Sequence, residues 1–287
     1  MSPLQNLKIG IMSPKGIAQK IELAKYSGFC FGVKRAIKLA QDAVKSKKTI
    51  YSLGPLIHNR QEVERLRKKG IHIVENLSEI KSGTLIIRSH GIHPRLVKEA
   101  KKKGLSIIDA TCPFVKKVQE LTTLLQKEGY RVIVVGEKNH PEILALPGVK
   151  VIEKVSDVEK MRTAKKLGVV SQTTQTIENL TEVVAALVKK TSELRAFNTI
   201  CGATARRQKE AYDMAHRCDL MLVVGGYNSA NTRRLAEICK RTGTETHHIE
   251  TADGIKPSWL KGKRKIGVTA GASTPNWIIR KVMRKLK

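Results

Sequence analysis

The chain has 287 residues, more than one hydrophobic core usually supports, which predicts two or three compact units. Hydrophobic residues make up 41% of the sequence, so wholesale disorder is excluded. Lys and Arg number 54 against 25 Asp and Glu, a net charge of +29 that indicates either a polyanionic partner such as nucleic acid or a lysine-rich solvated surface. Aromatic residues are only 4%, too few for base-stacking platforms, which favours the solvated surface over nucleic acid.

The sequence also predicts where the protein works. No apolar run reaches the length of a membrane-spanning helix, so we expect no membrane association. The first twenty residues lack the apolar core and cleavage site of an export signal. Five cysteines, an odd number spread over a long chain, disfavour a secreted disulfide framework and favour thiol chemistry or metal ligation. These features together predict a cytoplasmic protein.

Short apolar runs alternate with amphipathic helical patterns along the chain. Strand, helix, strand, helix is the signature of an α/β fold with parallel sheets, in which buried strands read as continuous apolar runs. In chain order the patterns predict helix 33–43, helix 60–69, strand 84–87, strand 106–109, helix 113–127, strand 131–136, strand 168–171, helix 179–190, helix 205–217, strand 220–225, helix 229–240 and strand 265–269.

A threefold repeat underlies this alternation. Cys30, Cys112 and Cys201 each follow an apolar run and open a helix, and a polar residue (His58, His140 or Ser229) lies 28 residues after each. A second polar loop follows 60, 61 and 72 residues after each cysteine. The repeat predicts three pseudo-threefold related α/β lobes, a trefoil around a central site. The predicted lobes are 20–104, 105–190 and 191–274, with an N-terminal extension 1–19 and a C-terminal helix 275–287 packing back on the first lobe.

The three repeated cysteines differ in placement from the other two. Each occupies a strand-to-helix turn, where the helix N-terminus lowers a thiol pKa and stabilises negative charge. Three thiolates meeting on one axis are an incomplete ligand set for an iron–sulfur cluster, which normally takes four protein ligands, so one iron would stay open. Cys218 and Cys239 lie in helical contexts and are predicted to be buried apolar residues.

Polar residues at the ends of the predicted strands complete the candidate site. His58, His90 and His140 lie in polar loops at equivalent points of the repeat and suggest a basic cavity for an anion such as diphosphate. Glu142 lies in a loop beyond a core strand, where burial would raise its pKa into the range useful for proton transfer. Loops of small polar residues are predicted to cap helices or to cradle an oxyanion, and they contain Ser229, Asn231 and Ser273.

At these residues the chain resembles the LytB family, the 4-hydroxy-3-methylbut-2-enyl diphosphate reductases. The matching motifs run in family order over nearly the whole chain. Each is short, but together they are highly specific. They are GFCFGVKRA at 28–36, HN at 58–59, SHG at 89–91, DATCP at 109–113, HPE at 140–142, QTT at 172–174, TICGAT at 199–204, NSAN at 228–231 and TAGAS at 269–273.

The resemblance implies an activity and a cofactor. One 4Fe–4S cluster per chain would be held by Cys30, Cys112 and Cys201, with the open iron taking the allylic hydroxyl of the substrate. Two electrons and two protons would remove that hydroxyl as water and give isopentenyl and dimethylallyl diphosphates, the last step of the non-mevalonate isoprenoid pathway. Ferredoxin or flavodoxin, which are typically acidic, is implied as the electron donor, and a basic docking face would suit either.

The resemblance also implies roles for the polar residues. Glu142 would donate a proton, Thr173 would orient the substrate hydroxyl and relay the proton, and His140 would serve catalysis as well as binding. Family members often have a second serine where this chain has Ala230, which leaves only a backbone N–H for the phosphate there. The implied diphosphate contacts are His58, His90, His140, Ser229, Asn231 and Ser273.

Two other interpretations make different predictions. A dehydratase resembling quinolinate synthase would also use three cysteines and an open cluster iron, but its motifs do not match, and the substrate that perturbs the cluster spectrum would distinguish the two. A basic nucleic-acid-binding protein predicts tight, steeply salt-dependent binding and no iron in anaerobically purified protein.

Overall fold

The computed structural model describes residues 9–12, 18–46 and 48–287. Apolar, β-branched runs form the six strands that the sequence predicts. The described residues form seven further strands, some of them largely polar, such as Thr191–Ala196 and Glu245–Ile249. The strands are β1 Ile9–Met12, β2 Ala18–Leu23, β3 Ile50–Leu53, β4 Ile71–Val74, β5 Thr84–Ile87, β6 Ser106–Asp109, β7 Arg131–Val135, β8 Lys150–Ile152, β9 Ala164–Ser171, β10 Thr191–Ala196, β11 Leu220–Val224, β12 Glu245–Ile249 and β13 Lys265–Ala270.

Helices connect most of these strands, and the predicted helices are all present with ends shifted by a few residues. None of the helices in the described part of the chain combines the length and apolar character needed to cross a bilayer. The helices are α1 Phe31–Val44, α2 Arg60–Arg67, α3 Pro94–Lys102, α4 Pro113–Lys127, α5 Pro141–Leu144, α6 Ser156–Glu159, α7 Ile177–Val188, α8 Gly202–Ala215, α9 Ala230–Arg241, α10 Pro257–Leu260 and α11 Asn276–Lys285.

The strands form three sheets, and the chain divides into two compact units. The first unit contains 202–287, the short segment 58–60 and the N-terminal part that ends at Cys30. The second unit contains 31–57 and 61–201. Each sheet has at least four parallel strands and its own helices, which confirms the predicted α/β class with three lobes.

The first unit is built on a sheet in the order β1-β2-β13-β11-β12, parallel except for β1. Strand β11, which lies between β13 and β12, is buried on both faces because its side chains alternate between two cores. Leu222 packs in the core that contains Ile278 and Val282 of α11, while Met221 packs in the core that contains Leu235 of α9. A parallel strand covered by helices on both faces needs apolar residues throughout, which explains its unbroken apolar sequence.

The N-terminal strand lies in this same sheet. β2 pairs with β13 in parallel, with Ile21 opposite Ile266, although 20–104 was predicted to form one lobe. The predicted C-terminal helix is present as α11, and it packs on the sheet that contains β2 and β13. The proposed extension 1–19 lies mostly outside the described residues. Its described parts pair antiparallel, with Ile9 opposite Ile21, and the three lobe boundaries stay a prediction.

The second unit contains two parallel sheets, in the orders β4-β3-β5-β6 and β10-β9-β7-β8. Strand β7 shows the same alternation as β11. Ile133 packs in the core that contains Val183 of α7, and Val134 packs in the core that contains Leu125 of α4. Because helices begin at the carboxyl ends of parallel strands, the loops at those ends gather the polar residues of the candidate site.

Candidate active site

Each of the three repeated cysteines opens a helix, as predicted. Cys30 directly precedes α1, Cys112 is the N-cap residue of α4, and Cys201 directly precedes α8. All three are half-buried. A thiol at a helix start lies beside unpaired backbone N–H groups and the positive end of the helix dipole, which favour the thiolate that binds metal.

One backbone hydrogen bond occurs at all three cysteines. The N–H of each cysteine donates to a carbonyl in the second polar loop of the preceding repeat, and the loop of the third repeat serves Cys30. These bonds fix each cysteine backbone against rigid sheet ends. They join Cys30 to Ala272 at 3.1 Å, Cys112 to Ser89 at 2.9 Å and Cys201 to Thr173 at 2.9 Å.

Two arginines hold the loops that precede cysteines, and sequence reasoning missed both. In the second unit the Arg35 guanidinium donates to the carbonyls of Asp109 and Thr111, both at 3.1 Å. In the first unit buried Arg207 donates to the Gly28 carbonyl at 2.7 Å. The sequence contained a signal for them, since each arginine follows a repeated cysteine by five or six residues, in the helix that the cysteine opens.

Gly32 leaves room for a cysteine side chain. A Cβ atom at this position would lie 2.4 Å from the Cys112 Sγ and 3.1 Å from its Cβ, closer than real contacts allow. The start of α1 and the start of α4 therefore approach each other so closely that an alanine at position 32 would have to displace the Cys112 side chain. This approach sets the position of the Cys112 thiol.

We expect Gly32→Ala to reduce iron retention while leaving the fold intact. The added methyl must displace the Cys112 side chain, and strain of this kind costs about 1–3 kcal/mol. Iron and sulfide per chain after anaerobic purification, with circular dichroism as the folding control, measure the effect. Full iron content in the variant would contradict the steric argument.

Two histidines of the second unit lie against each other. His140 is the N-cap of α5, and its Nδ1 accepts from the Glu142 backbone N–H at 3.2 Å. Its ring meets that of His90 edge to face, with centroids 5.5 Å apart. His58 belongs to the first unit, where its carbonyl accepts a hydrogen bond from the Ser273 hydroxyl at 2.9 Å.

Two polar residues at the start of α9 play different roles: Ser229 caps the helix, and Asn231 has an unsatisfied side-chain amide. The Ser229 hydroxyl oxygen accepts from the Thr232 N–H at 3.3 Å, which confirms the predicted cap. Asn231 is 4% exposed, yet neither its amide oxygen nor its amide nitrogen has a hydrogen-bond partner. A buried side-chain amide without partners costs a few kcal/mol, so such a group is typical of a ligand site.

Glu142 is the buried acid that the sequence singled out. It is 1% exposed, and burial raises the pKa of its carboxyl to about 7, although hydrogen bonds from Thr173 oppose the shift. The Thr173 N–H donates to one carboxyl oxygen at 2.7 Å, and the Thr173 hydroxyl donates to the other at 2.8 Å. A carboxyl with a pKa near neutrality can hold a proton and release it at physiological pH.

The other two cysteines have a different chemistry. Burial raises the pKa of the Cys218 thiol to about 11 and that of Cys239 to about 12. Cys239 is fully buried in the core beside α8, and its Sγ lies 3.7 Å from the Ala211 carbonyl oxygen. Both stay protonated at neutral pH, as expected of apolar packing residues.

Within the second unit a continuous chain of contacts joins the predicted residues. It runs from the backbone of Cys201 through Thr173 and Glu142 to His140, then across the ring contact to His90, whose neighbour Ser89 holds Cys112. In the first unit, the loop before α11 contacts Cys30 through Ala272 and His58 through Ser273, and the loop before α9 lies beside the His58 carbonyl. The predicted residues of this unit are Cys30, His58, Ser229, Asn231 and Ser273.

Comparison with known proteins gives one consistent result. The family model described as LytB protein matches residues 21–287. The 4-hydroxy-3-methylbut-2-enyl diphosphate reductase of Pelobacter propionicus is 50% identical over 272 residues, which cover 93% of this chain and 97% of the relative. The Geobacter sulfurreducens protein of the same name is 46% identical over 273 residues, with the same coverage of both chains.

Two solved structures are also similar. One is an (E)-4-hydroxy-3-methyl-but-2-enyl diphosphate reductase described as the terminal enzyme of the non-mevalonate pathway, with 46% identity, a TM-score of 0.69 and coverage of 93% of this chain and 98% of that one. The other is the E-1-hydroxy-2-methyl-but-2-enyl-4-diphosphate reductase of Plasmodium falciparum, with 33% identity, a TM-score of 0.88 and coverage of 92% and 86%. The resemblance found in the sequence is confirmed: this chain belongs to the LytB protein family.

Proposed function

We propose that this chain is an oxidoreductase that reduces (E)-4-hydroxy-3-methylbut-2-enyl diphosphate to isopentenyl and dimethylallyl diphosphates. The allylic carbon–oxygen bond breaks, two electrons and two protons enter, and the oxygen leaves as water. This is the reaction named for the relatives that cover nearly all of this chain. Membership of the LytB family implies an iron–sulfur cluster.

The cluster is proposed to be a single 4Fe–4S group held by Cys30, Cys112 and Cys201, with one iron open. Two features of the chain support this assignment. Each thiol lies at a helix start, which suits an anionic sulfide cluster. At Gly32 the absence of a Cβ leaves space at the Cys112 Sγ. When bound, the cluster supplies electrons and a Lewis-acidic iron.

Glu142 is proposed as the proton donor. Burial raises the pKa of its carboxyl to about 7, so the protonated form that can donate is populated near neutral pH. The Thr173 hydroxyl oxygen lies 2.8 Å from this carboxyl. Protonated Glu142 can therefore donate to the Thr173 oxygen while the Thr173 O–H donates to a substrate hydroxyl, which passes a proton from Glu142 to the substrate. Thr173 also orients that hydroxyl, and His140 holds the Glu142 backbone as the cap of α5.

The diphosphate is proposed to bind to histidine rings and to small polar side chains. Imidazole N–H, hydroxyl and amide groups donate hydrogen bonds to phosphate oxygens, and those to a charged acceptor are the stronger kind. The unsatisfied amide of Asn231 supports this assignment most directly. Ala230 leaves only its backbone N–H for the phosphate. The proposed contacts are His58, His90, His140, Ser229, Asn231 and Ser273.

One observation carries this proposal furthest. In the second unit, Thr173 holds Cys201 through its carbonyl and Glu142 through its N–H and hydroxyl. A proton donor and a candidate cluster ligand are therefore fixed by the same residue, as a reaction that couples protons to electrons requires.

The direct test is anaerobic purification of the whole chain followed by iron and sulfide assay and turnover on the allylic diphosphate with a viologen radical as reductant. We expect about four irons per chain, as the cluster type requires, and formation of both alkene products. Iron-free protein, or iron-loaded protein without turnover, would contradict the proposed function.

Asn231→Asp should raise the KM for the diphosphate by about 10- to 100-fold. Aspartate has nearly the same shape as asparagine, but its negative carboxylate would repel the phosphate. The matched control is Asn179→Asp, because the amide nitrogen of Asn179, which lies in α7, donates to the Glu153 carbonyl outside the proposed site, and this variant should leave KM unchanged. Steady-state kinetics with the viologen reductant measure both. An unchanged KM in Asn231→Asp would remove this residue from the proposed site.

The electron donor is proposed to be ferredoxin or flavodoxin. Both carry one electron at a time, so two encounters supply one turnover. The net charge of +29 supports an acidic donor. A cytoplasmic location stays a prediction.

A further inference from the structure

Two of the four phenylalanines of this chain lie on the surface beside a cysteine. Phe31, the first residue of α1, is 64% exposed, and Phe114, in the first turn of α4, is 48% exposed. Exposed phenylalanine leaves apolar area in contact with water, and such area concentrated at one place marks an interaction surface. Neither side chain is buried in a core of the second unit.

The two phenylalanines belong to one small surface. The first turns of α1 and α4 approach so closely that a Cβ at Gly32 would lie 2.4 Å from the Cys112 Sγ. The guanidinium of Arg35 ties α1 to the loop before α4 through the Asp109 and Thr111 carbonyls. Phe31 and Phe114 therefore belong to two helix starts that meet at the half-buried Cys112, a proposed cluster ligand.

The same surface is positively charged. Lys34 and Lys38 on α1 and Lys117 on α4 are exposed, and neither helix has an acidic residue in its first turn. Lys34 lies in the first turn of α1, where a positive charge opposes the helix dipole, whereas Lys38 and Lys117 lie beyond the first turns and Lys117 reaches Glu120 at 4.0 Å. The excess of exposed lysines on two adjacent helices favours a negatively charged partner.

We infer that Phe31, Phe114, Lys34, Lys38 and Lys117 form the docking surface for an acidic electron-carrier protein. This inference rests on the proposed function, because only a reductase that holds a cluster at Cys112 needs electrons delivered there. Lysines steer an acidic carrier to the surface, and the phenylalanines supply the apolar contact at its centre. The carrier gives up one electron per encounter, and two encounters supply the pair that the reaction consumes. Electron-transfer complexes are typically small and short-lived, which two helix ends can accommodate.

The test compares two reductants on the same holoenzyme. Reduced two-iron ferredoxin, an acidic protein, must dock, whereas a viologen radical needs no docking surface. We expect Phe31→Ser/Phe114→Ser and Lys34→Glu/Lys117→Glu each to raise the KM for ferredoxin by about tenfold or more. Iron content and viologen-driven kcat should stay at the level of the unmodified chain. Salt should raise the KM for ferredoxin in the unmodified chain and less so in the lysine variant.

Lys102→Glu/Lys189→Glu is the matched charge control. These exposed lysines lie at the C-terminal ends of α3 and α7, away from the helix starts, and the pair changes net charge by the same amount. It should leave the KM for ferredoxin unchanged. An equal rise of the ferredoxin KM in this control would show that net charge causes the effect, and it would overturn the proposed docking surface. A ferredoxin KM unchanged in both test variants would overturn it as well.

Binding of oxidised ferredoxin, measured by titration calorimetry on the same proteins, separates this inference from the proposed function. If the unmodified chain fails to turn over with viologen, the proposed function fails, while weaker ferredoxin binding in the two test variants still supports the docking surface. Loss of nucleic-acid binding in the lysine variant, with ferredoxin binding unchanged, would assign the surface to another partner and overturn the inference.

Discussion

Cys112→Ser should fold normally and lose nearly all of its iron, whereas Cys239→Ser should keep it. Cys112 is the N-cap residue of α4, and serine is one of the preferred N-cap residues, so the substitution preserves or improves the helix start. The neutral serine oxygen is a poor replacement for a thiolate at iron. Losing an outer-shell partner alone costs about 10- to 100-fold in metal affinity, and losing a ligand should cost at least that.

Cys239→Ser provides the control because it changes the same atom in a different environment. Cys239 is fully buried in the core of the first unit, and a serine hydroxyl there can donate to the Ala211 carbonyl. We expect some loss of stability and no loss of iron per folded chain. Iron and sulfide assays, visible absorption and circular dichroism on anaerobically purified protein measure both variants. Equal iron in the two would exclude Cys112 as a ligand.

Glu142→Gln should keep the cluster and lower kcat by about 10²- to 10⁴-fold, the usual contribution of a positioned proton donor. Glutamine has the same shape, and its amide oxygen can still accept from the Thr173 N–H, which donates to the glutamate at 2.7 Å. It has no proton to release at neutral pH. Viologen-driven turnover at saturating substrate, with iron content as the control, measures the effect. Retained activity would remove Glu142 from the proton path.

The pH dependence follows from the same carboxyl group. Its pKa of about 7 means that the proton-donating form is lost as the pH rises through 7, so kcat should fall about tenfold per pH unit above that point. The Thr173 hydroxyl favours the charged carboxylate and lowers its pKa. Thr173→Val should therefore lower kcat, because the proposed relay is lost, and should move the descending limb of its residual activity to higher pH; Thr173→Ser should restore both. A limb that stays in place in Thr173→Val would show that another group titrates.

The repeat explains how three distant cysteines come to have the same backbone environment. Each cysteine N–H is held by the second polar loop of the preceding repeat, with the loop of the third repeat serving Cys30, at 2.9–3.1 Å. Three copies of one strand–cysteine–helix unit therefore place three cysteines at helix starts with the same backbone hydrogen bond. The spacing of 28 residues to the next polar loop corresponds to one helix, one strand and the loop that follows it.

The sequence by itself determined the α/β class and most element positions. Apolar runs such as 132–135 and 220–224 indicate buried parallel strands, because exposing them to water is unfavourable and they are too short for a core helix. It also singled out Glu142 and Ser229, since an acid beyond a core strand and a serine before a helix are local signals. These properties depend on nearest neighbours along the chain.

Only the tertiary structure decided the rest, because those properties depend on residues far apart in sequence. No sequence signal near β2 predicts that it pairs with β13, because the two strands are more than two hundred residues apart and their pairing depends on tertiary packing. The need for glycine at position 32 arises from Cys112, eighty residues away, and the role of Arg35 arises from carbonyls of a different loop. The raised pKa of Glu142 likewise depends on complete burial, which a folded core creates and a sequence pattern can only suggest.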